Sequence, residues 1–331
     1  MEMEALKQRL ARLAPLPLGH FPTPLAPLKR LSKALDGPEI WIKRDDLSGL
    51  GGGGNKVRKL RYLVAEALRQ EADVIMTTGA QQSNHARQTA GVAAHLGVDC
   101  VLVLGGEAPS SPQGNYLLDR CFGAEVRWAG DRPLMSALQE EAGALRAEGR
   151  RPYVIPYGGS NALGACGYVE AAVEWREQTQ GLSFNAIVVA SSSGGTQAGL
   201  AVALQALGIP TRVVGISIGY DAATLRQRLA DIAANLRSRL DLDAVPGAEA
   251  FVVVDAYLGG GYGVVGALER DAIRALARHE GLLADPVYTG RALGGLMDLV
   301  RQGYFERDAR VLFWHTGGAP GLYAYARELG I

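Results

Sequence analysis

No lysine follows position 59. Of the 34 basic residues only Lys7, Lys29, Lys33, Lys43, Lys56 and Lys59 are lysine, and the other 28 are arginine. Any reaction that needs a lysine amine must draw it from the first fifth of the chain. Cysteine is scarce too: Cys100, Cys121 and Cys166 are odd in number, far apart and without a CxxC pair. That argues against a disulfide framework or a thiolate metal site, and makes a reducing cytoplasm the expected setting. Net charge is absent, because 34 acidic residues balance the basic ones. Binding to nucleic acid by bulk charge and a polybasic hold on membranes are thereby disfavoured. No apolar run reaches the roughly 18 residues of a membrane-spanning helix. Met1 to Leu13 carries Glu2 and Glu4 and alternates charge with leucine, which suits an amphipathic helix and not a signal peptide.

What is present is a chain of 331 residues with 48% hydrophobic and 21% charged residues, enough to bury a large core. Short β-rich runs alternate with helical segments. Strands are expected at 40–43, 73–78, 100–104, 125–128, 153–156, 186–190, 212–218, 250–254 and 311–314. Helices are expected at 56–70, 82–96, 113–122, 133–148, 162–178, 196–207, 222–240, 264–279 and 291–302. Such alternation predicts an α/β protein with two open, twisted, mostly parallel sheets covered by helices on both faces. Gly-rich loops near 50 and 160 suggest a small domain at 50–160, with 1–49 and 161–331 forming a larger one.

The 43 glycines gather in loops between these elements. Gly51-Gly52-Gly53-Gly54-Asn55-Lys56 precedes a helix, so Lys56 sits in its first turn beside whatever the glycine backbone approaches. A flexible loop before an ordinary helical lysine explains the segment as well. Lys59 lies one turn on, and a second cation there would lower the Lys56 pKa. Ser191-Ser192-Ser193-Gly194-Gly195-Thr196 joins an apolar strand to a helix, where free N–H groups and small hydroxyls can cradle phosphate. It has neither a Walker lysine nor a dinucleotide fingerprint; the plainer alternative is a serine-capped turn. Gln82-Ser83-Asn84-His85 opens another helix, where it can receive a carboxylate or simply cap, with His85 as a solvated first-turn residue. Asp285-Pro286-Val287-Tyr288-Thr289 offers an aromatic plate followed by a hydroxyl, or a proline-started turn. His315 follows an apolar strand and suits a cleft wall better than a catalytic base. No spacing suits a metal. A lysine, a phosphate cradle, an aromatic plate and a carboxylate cradle together describe a pyridoxal phosphate site.

The chain resembles the fold-type II pyridoxal-phosphate enzymes, the tryptophan synthase β-like group, and within it the D-cysteine desulfhydrase and 1-aminocyclopropane-1-carboxylate (ACC) deaminase branch. The likeness rests on Pro22-Thr23-Pro24-Leu25, Ile42-Lys43-Arg44-Asp45-Asp46-Leu47, Gly53-Gly54-Asn55-Lys56-Val57-Arg58-Lys59, Gln82-Ser83-Asn84-His85, Gly158-Gly159-Ser160-Asn161, Asp285-Pro286-Val287-Tyr288 and His315-Thr316-Gly317-Gly318. These run in order from residue 22 to 318.

The resemblance implies a homodimer acting on a small amino acid. Lys56 would bind the cofactor covalently and act as the base at Cα. Lys59 with Ser193, Gly194, Gly195 and Thr196 would hold the phosphate. Asn84 would face the ring hydroxyl, Tyr288 would stack on the ring, and Thr289 would meet the pyridine nitrogen. Gln82, Ser83 and Asn84 would receive the substrate carboxylate, with Gly159 and Thr316 also bordering the substrate and Tyr262 near its side chain. Lys56, Ser83, Tyr262 and Tyr288 would form the catalytic set. At Gly159, Thr289 and Thr316 the chain follows the desulfhydrase pattern, where ACC deaminases carry Cys, Glu and Leu. The implied reaction is α,β-elimination of D-cysteine to pyruvate, hydrogen sulfide and ammonia. ACC deamination, sulfite elimination from cysteate and a phosphate-ligand binding module are the alternatives. Arg291 departs from the family, which carries lysine there.

Overall fold

The computed structural model describes residues 1–330. Ten strands form two sheets: β1 (Leu25–Pro27), β2 (Glu39–Arg44), β3 (Val74–Gly79), β4 (Asp99–Leu104), β5 (Glu125–Trp128), β6 (Pro152–Val154), β7 (Ala186–Ser191), β8 (Arg212–Ser217), β9 (Val252–Val254) and β10 (Arg310–His315). The larger sheet has the order β1-β2-β10-β7-β8-β9, and the smaller β5-β4-β3-β6. All pairings are parallel except β1 with β2. Nine of these strands follow the sequence expectation within two residues or so; β1 and the helix Lys29–Leu35 do not appear in it. The three residues of β1, preceded by Pro24 and ending in Pro27, leave too short a pattern to read.

Strand alternation sorts the core. Ile187 and Val189 face a cluster that also takes Ile75 and Leu102 from the smaller sheet, so one core is continuous across both. Val188, Val214, Val311 and Phe313 face the opposite way, under the helices Ala267–Glu280 and Thr289–Arg301. Val74, Met76, Val101 and Val103 pack under the helix Leu134–Ala147 on the outer face of the smaller sheet. Each fully buried aliphatic side chain contributes about 1.5–3 kcal/mol.

Two helices sit between the sheets and fix the position of Lys56. The helix Lys56–Arg69 crosses the helix Ala162–Gln178 at Gly167, where a Cβ would lie 2.2 Å from the Arg58 carbonyl oxygen. Only glycine allows that approach. Behind this crossing lies a buried charge network. Arg58 bonds Asp45 at 2.8 and 3.0 Å and Glu174 at 2.8 and 2.9 Å. Tyr168 and Trp314 donate to Asp45 at 2.6 and 2.8 Å. Lys43 pairs with Glu174 and donates to the Thr23 carbonyl at 2.6 Å and to Gln178 at 2.7 Å. Two cations meet two carboxylates, so the cluster carries no net charge, as burial requires. Burial lowers the Lys43 pKa against the pull of Glu174, while Arg58 holds the Asp45 carboxyl down at about 2 against the cost of its own burial. The motifs around Thr23, Lys43 and Asp45 therefore lock β2 to these helices.

Candidate active site

The loops after β3, β6, β7 and β10 converge on one cavity between the sheets, at the carboxyl ends of the strands, where open α/β sheets bind ligands. Its wall includes Asn55, Lys56, Ser83, Asn84, His85, Tyr157, Gly158, Ser191 to Gly194, Thr196, Tyr288 and Thr316.

Lys56 begins its helix, its backbone N–H donating to Gln88 Oε1 at 3.0 Å and its Nζ to Asn55 Oδ1 at 3.0 Å. Asn55 Nδ2 in turn donates to Thr196 Oγ1 at 3.1 Å. The preceding glycines form a tight, fixed turn. Gly51 to Gly54 all have positive φ, and a Cβ on Gly53 would lie 2.0 Å from the Asp46 carbonyl oxygen. The buried Arg87 guanidinium binds the carbonyls of Gly51 and Gly53. Burial lowers the Lys56 pKa, Asp285 works against that and Arg87 with it, and the amine comes to about 8. The two amines repel one another, as the sequence suggested, and the effect falls on Lys59. Its own pKa falls well below the usual lysine value, through burial and then the charge of Lys56.

Lys59 is buried, its Nζ donating to the Gly158 carbonyl at 3.1 Å and Ser160 Oγ at 2.8 Å. Ser160 Oγ accepts from Gly195 N at 3.1 Å and lies 2.8 Å from Ser193 Oγ. Lys59 thus reaches the Ser193–Thr196 loop through Ser160, which sequence reasoning quoted in a motif without assigning it a role. The helix Gly195–Ala206 starts here without a side-chain cap, and the buried Ser191 hydroxyl has no hydrogen-bond partner among the described residues. A helix N-terminus with spare donors, beside a lysine, suits a phosphate.

On the opposite wall Ser83 caps the helix Asn84–Leu96, its Oγ accepting from Ala86 N at 3.1 Å, which leaves its proton free to donate. Asn84 Oδ1 accepts from Asn115 Nδ2 at 2.8 Å. His85 is buried, not solvated, with Nε2 2.9 Å from Thr77 Oγ1. Thr77 donates to the Ile155 carbonyl, so the imidazole carries its proton on Nε2. Burial, with Lys56 and Lys59 adding to it, keeps it neutral. His315 lies outside the cavity, its ring bonded to the Leu283 carbonyl and Gly317 N.

Three expected residues stand behind the wall. The Gln82 side chain turns away to Asn115 N and the Gln113 carbonyl. Gly159 is buried against Leu63 and His85, and Gly158 takes its place at the surface. Thr289 is fully buried; its hydroxyl donates to Asp285 Oδ1 at 2.7 Å and accepts from Asp285 N at 2.7 Å. It is therefore spent inside its own turn. Thr316 opens on the cavity instead. Asp285 also accepts from Val287 N and Tyr288 N at 3.0 Å each, which fixes the Tyr288 ring. Tyr262 Oη lies 2.5 Å from Tyr288 Oη. The loop around Tyr262 hangs on Arg291, whose fork binds Glu269 at 2.6 Å and the carbonyls of Ile218, Gly261 and Val264 at 2.9–3.1 Å. A lysine could not span those acceptors.

An amine brought to about 8, a donor-lined helix start and an ordered aromatic ring around one cavity are the requirements of a pyridoxal phosphate enzyme. The chain belongs to the pyridoxal-phosphate dependent enzyme family, whose sequence model matches residues 16–317. It is 46% identical over 330 residues to the D-cysteine desulfhydrase of Serratia proteamaculans (97% of this chain, 98% of the relative). It is 46% identical over 327 residues to that of Yersinia enterocolitica, with the same coverage. Among solved structures, an ACC deaminase homologue matches with TM-score 0.88 and 39% identity over 97% of this chain and 98% of its own. A threonine deaminase from Solanum lycopersicum, 17% identical, shares the fold at TM-score 0.69 over 96% of this chain and 85% of its own.

Proposed function

We propose that the protein eliminates the β-substituent of D-cysteine, giving pyruvate, hydrogen sulfide and ammonia. The observation that carries this reading is the near full-length 46% identity to D-cysteine desulfhydrases. Lys56 in the cavity, with its lowered pKa, gives the reading a base of suitable strength.

Pyridoxal phosphate, when bound, holds the substrate amine covalently and draws electrons from Cα. The Ser191–Thr196 loop, with Lys59 behind Ser160, would hold its phosphate. Tyr288, positioned by Asp285, would lie against the ring, Asn84 would face the ring hydroxyl, and Thr316 would meet the ring nitrogen in the role the resemblance implied for Thr289. Ser83 and the N–H groups that open its helix take the substrate carboxylate. Lys56 Nζ, near half-neutral at about pH 8, removes the proton from Cα. Tyr262 and Tyr288 remain neutral, because burial raises both phenols, and can donate to the departing sulfur. Residues 50–160 form the domain that supplies Lys56, Ser83 and Asn84. The enzyme works in the cytoplasm as a homodimer.

ACC deamination is the second reading, favoured by the match to the ACC deaminase homologue. A hydroxyl at the ring nitrogen opposes it, because a hydroxyl holds a proton there less firmly than a carboxylate would. The test is keto-acid release from D-cysteine, L-cysteine, β-chloro-D-alanine, cysteate and ACC by purified holoenzyme. Pyruvate with sulfide from D-cysteine is expected. Faster 2-oxobutanoate release from ACC would overturn the reading.

A further inference from the structure

Tyr157 has no role in the site as assigned so far, yet it lines the cavity. It opens the short 3-10 turn Tyr157–Gly159 after β6, so it comes from the smaller sheet, whereas Tyr262 and Tyr288 come from segments beside the larger one. Tyr157 shares that cavity wall with Ser192 and Tyr288, and Tyr288 in turn meets Tyr262 hydroxyl to hydroxyl. The Tyr262 and Tyr288 rings meet edge to face at 6.0 Å. Tyr157 and the Tyr262–Tyr288 pair therefore make up one polar side of the site, held from three independent anchors. Lys59 binds the Gly158 carbonyl next to Tyr157, Arg291 binds the carbonyls of Gly261 and Val264 on either side of Tyr262, and Asp285 binds the backbone of Tyr288. Burial raises the pKa of each, so each keeps its proton at neutral pH.

An amino acid at Lys56 has its amine directed to that residue and its carboxylate to Ser83 and Asn84. Its β-substituent is then left to the remaining polar wall, which is this side. A phenol hydroxyl on the cavity wall can turn its proton towards an acceptor that enters beside it, at little cost in geometry. We propose that Tyr157 is a specificity-determining residue, whose hydroxyl donates to the leaving atom on Cβ as negative charge develops there, and so favours poor leaving groups such as thiolate, which need that stabilisation most. This rests on the elimination reading. No proton need be transferred: the C–S electron pair goes to sulfur as hydrosulfide, and the hydrogen bond strengthens as that charge develops.

The test compares wild type with Tyr157→Phe, which keeps the ring and removes the donor. The kcat/KM for D-cysteine should fall about tenfold, while that for β-chloro-D-alanine, whose chloride needs that stabilisation least, should change less than about twofold. The bound-cofactor absorbance should be unchanged. Competitive inhibition supplies a reading independent of turnover: wild type should bind D-serine more tightly than D-2-aminobutyrate, and the variant should lose that preference. Tyr157→Leu, measured in the same two ways, gives the same answer if the phenylalanine variant folds poorly. Equal losses on both substrates, or no loss, with the inhibitor preference kept, would overturn the proposal. Wild type that releases pyruvate from neither substrate would overturn the elimination reading and this assignment with it.

Discussion

Thr289 gives its hydroxyl proton to Asp285 at 2.7 Å, and the same oxygen accepts from the Asp285 backbone at 2.7 Å. A side chain so engaged supports the turn that carries Tyr288 and has no donor left for a ligand. Thr289→Val should therefore lower stability by about 1–3 kcal/mol with little change in the bound-cofactor spectrum. Thr316→Val should leave stability within about 1 kcal/mol and shift the spectrum or weaken cofactor binding. Thermal melts and visible absorbance decide between them, and the opposite pattern would return the ring nitrogen to Thr289.

The Lys56 amine, lowered to about 8 mainly by burial, sets a pH dependence. Only the neutral amine attacks an aldehyde. The rate at which apoenzyme takes up pyridoxal phosphate should rise with pH to a half-maximum near 8 and level off above it, not show its midpoint near the ordinary lysine value of 10.5. Borohydride should then fix the label on Lys56, and Lys56→Ala should take up none. A label mapped to Lys59 or Lys43 would refute the assignment.

Lys43 is as buried as a catalytic lysine but is tied to Glu174, Gln178 and Thr23. Removing it leaves Glu174 with Arg58 as its remaining cation beside the Thr23 N–H, and the Thr23 carbonyl with only Gln178. Lys43→Ala should cost about 3–5 kcal/mol of stability, measured by denaturant unfolding. The borohydride adduct on Lys56 should survive at temperatures where the variant is folded.

Asp119 is buried, and neither of its carboxylate oxygens has a partner among the described residues. Burial raises its pKa to about 8, with Arg87 only partly opposing the rise. The folded state thus holds a proton that the unfolded chain releases near 3.8. Its effect on stability is neutral below that value, and stability is then lost progressively as pH rises to about 8. Asp119→Asn should remove this loss. Its advantage over wild type in denaturant midpoint should grow from pH 5 to pH 9, reaching about 1–3 kcal/mol. A constant difference across that range would mean that the carboxyl does not ionise there.

Much of this protein could be read from local pattern. The apolar runs within 74–79, 186–191 and 310–315 and the helices between them follow from period and composition, because parallel strands buried on both faces need continuous apolar residues. The absence of lysine beyond 59 and the Gly-Asn-Lys sequence singled out Lys56 among six candidates. Side-chain direction at the ends of strands could not be read in this way. Thr289 and Thr316 both follow cavity-bound segments, but Asp285 draws one inward and leaves the other exposed to the cavity. Gln82 and Asn84 are two residues apart, yet the helix start at Gly114 captures the first and the cavity keeps the second. Tyr157 shares a cavity wall with Tyr288 only because a turn of one sheet faces a segment beside the other, over a hundred positions away in the chain. Periodicity describes which face of its own element a residue takes. Hydrogen bonds between elements, formed only once the two sheets have packed, decide which of those residues reach the cavity.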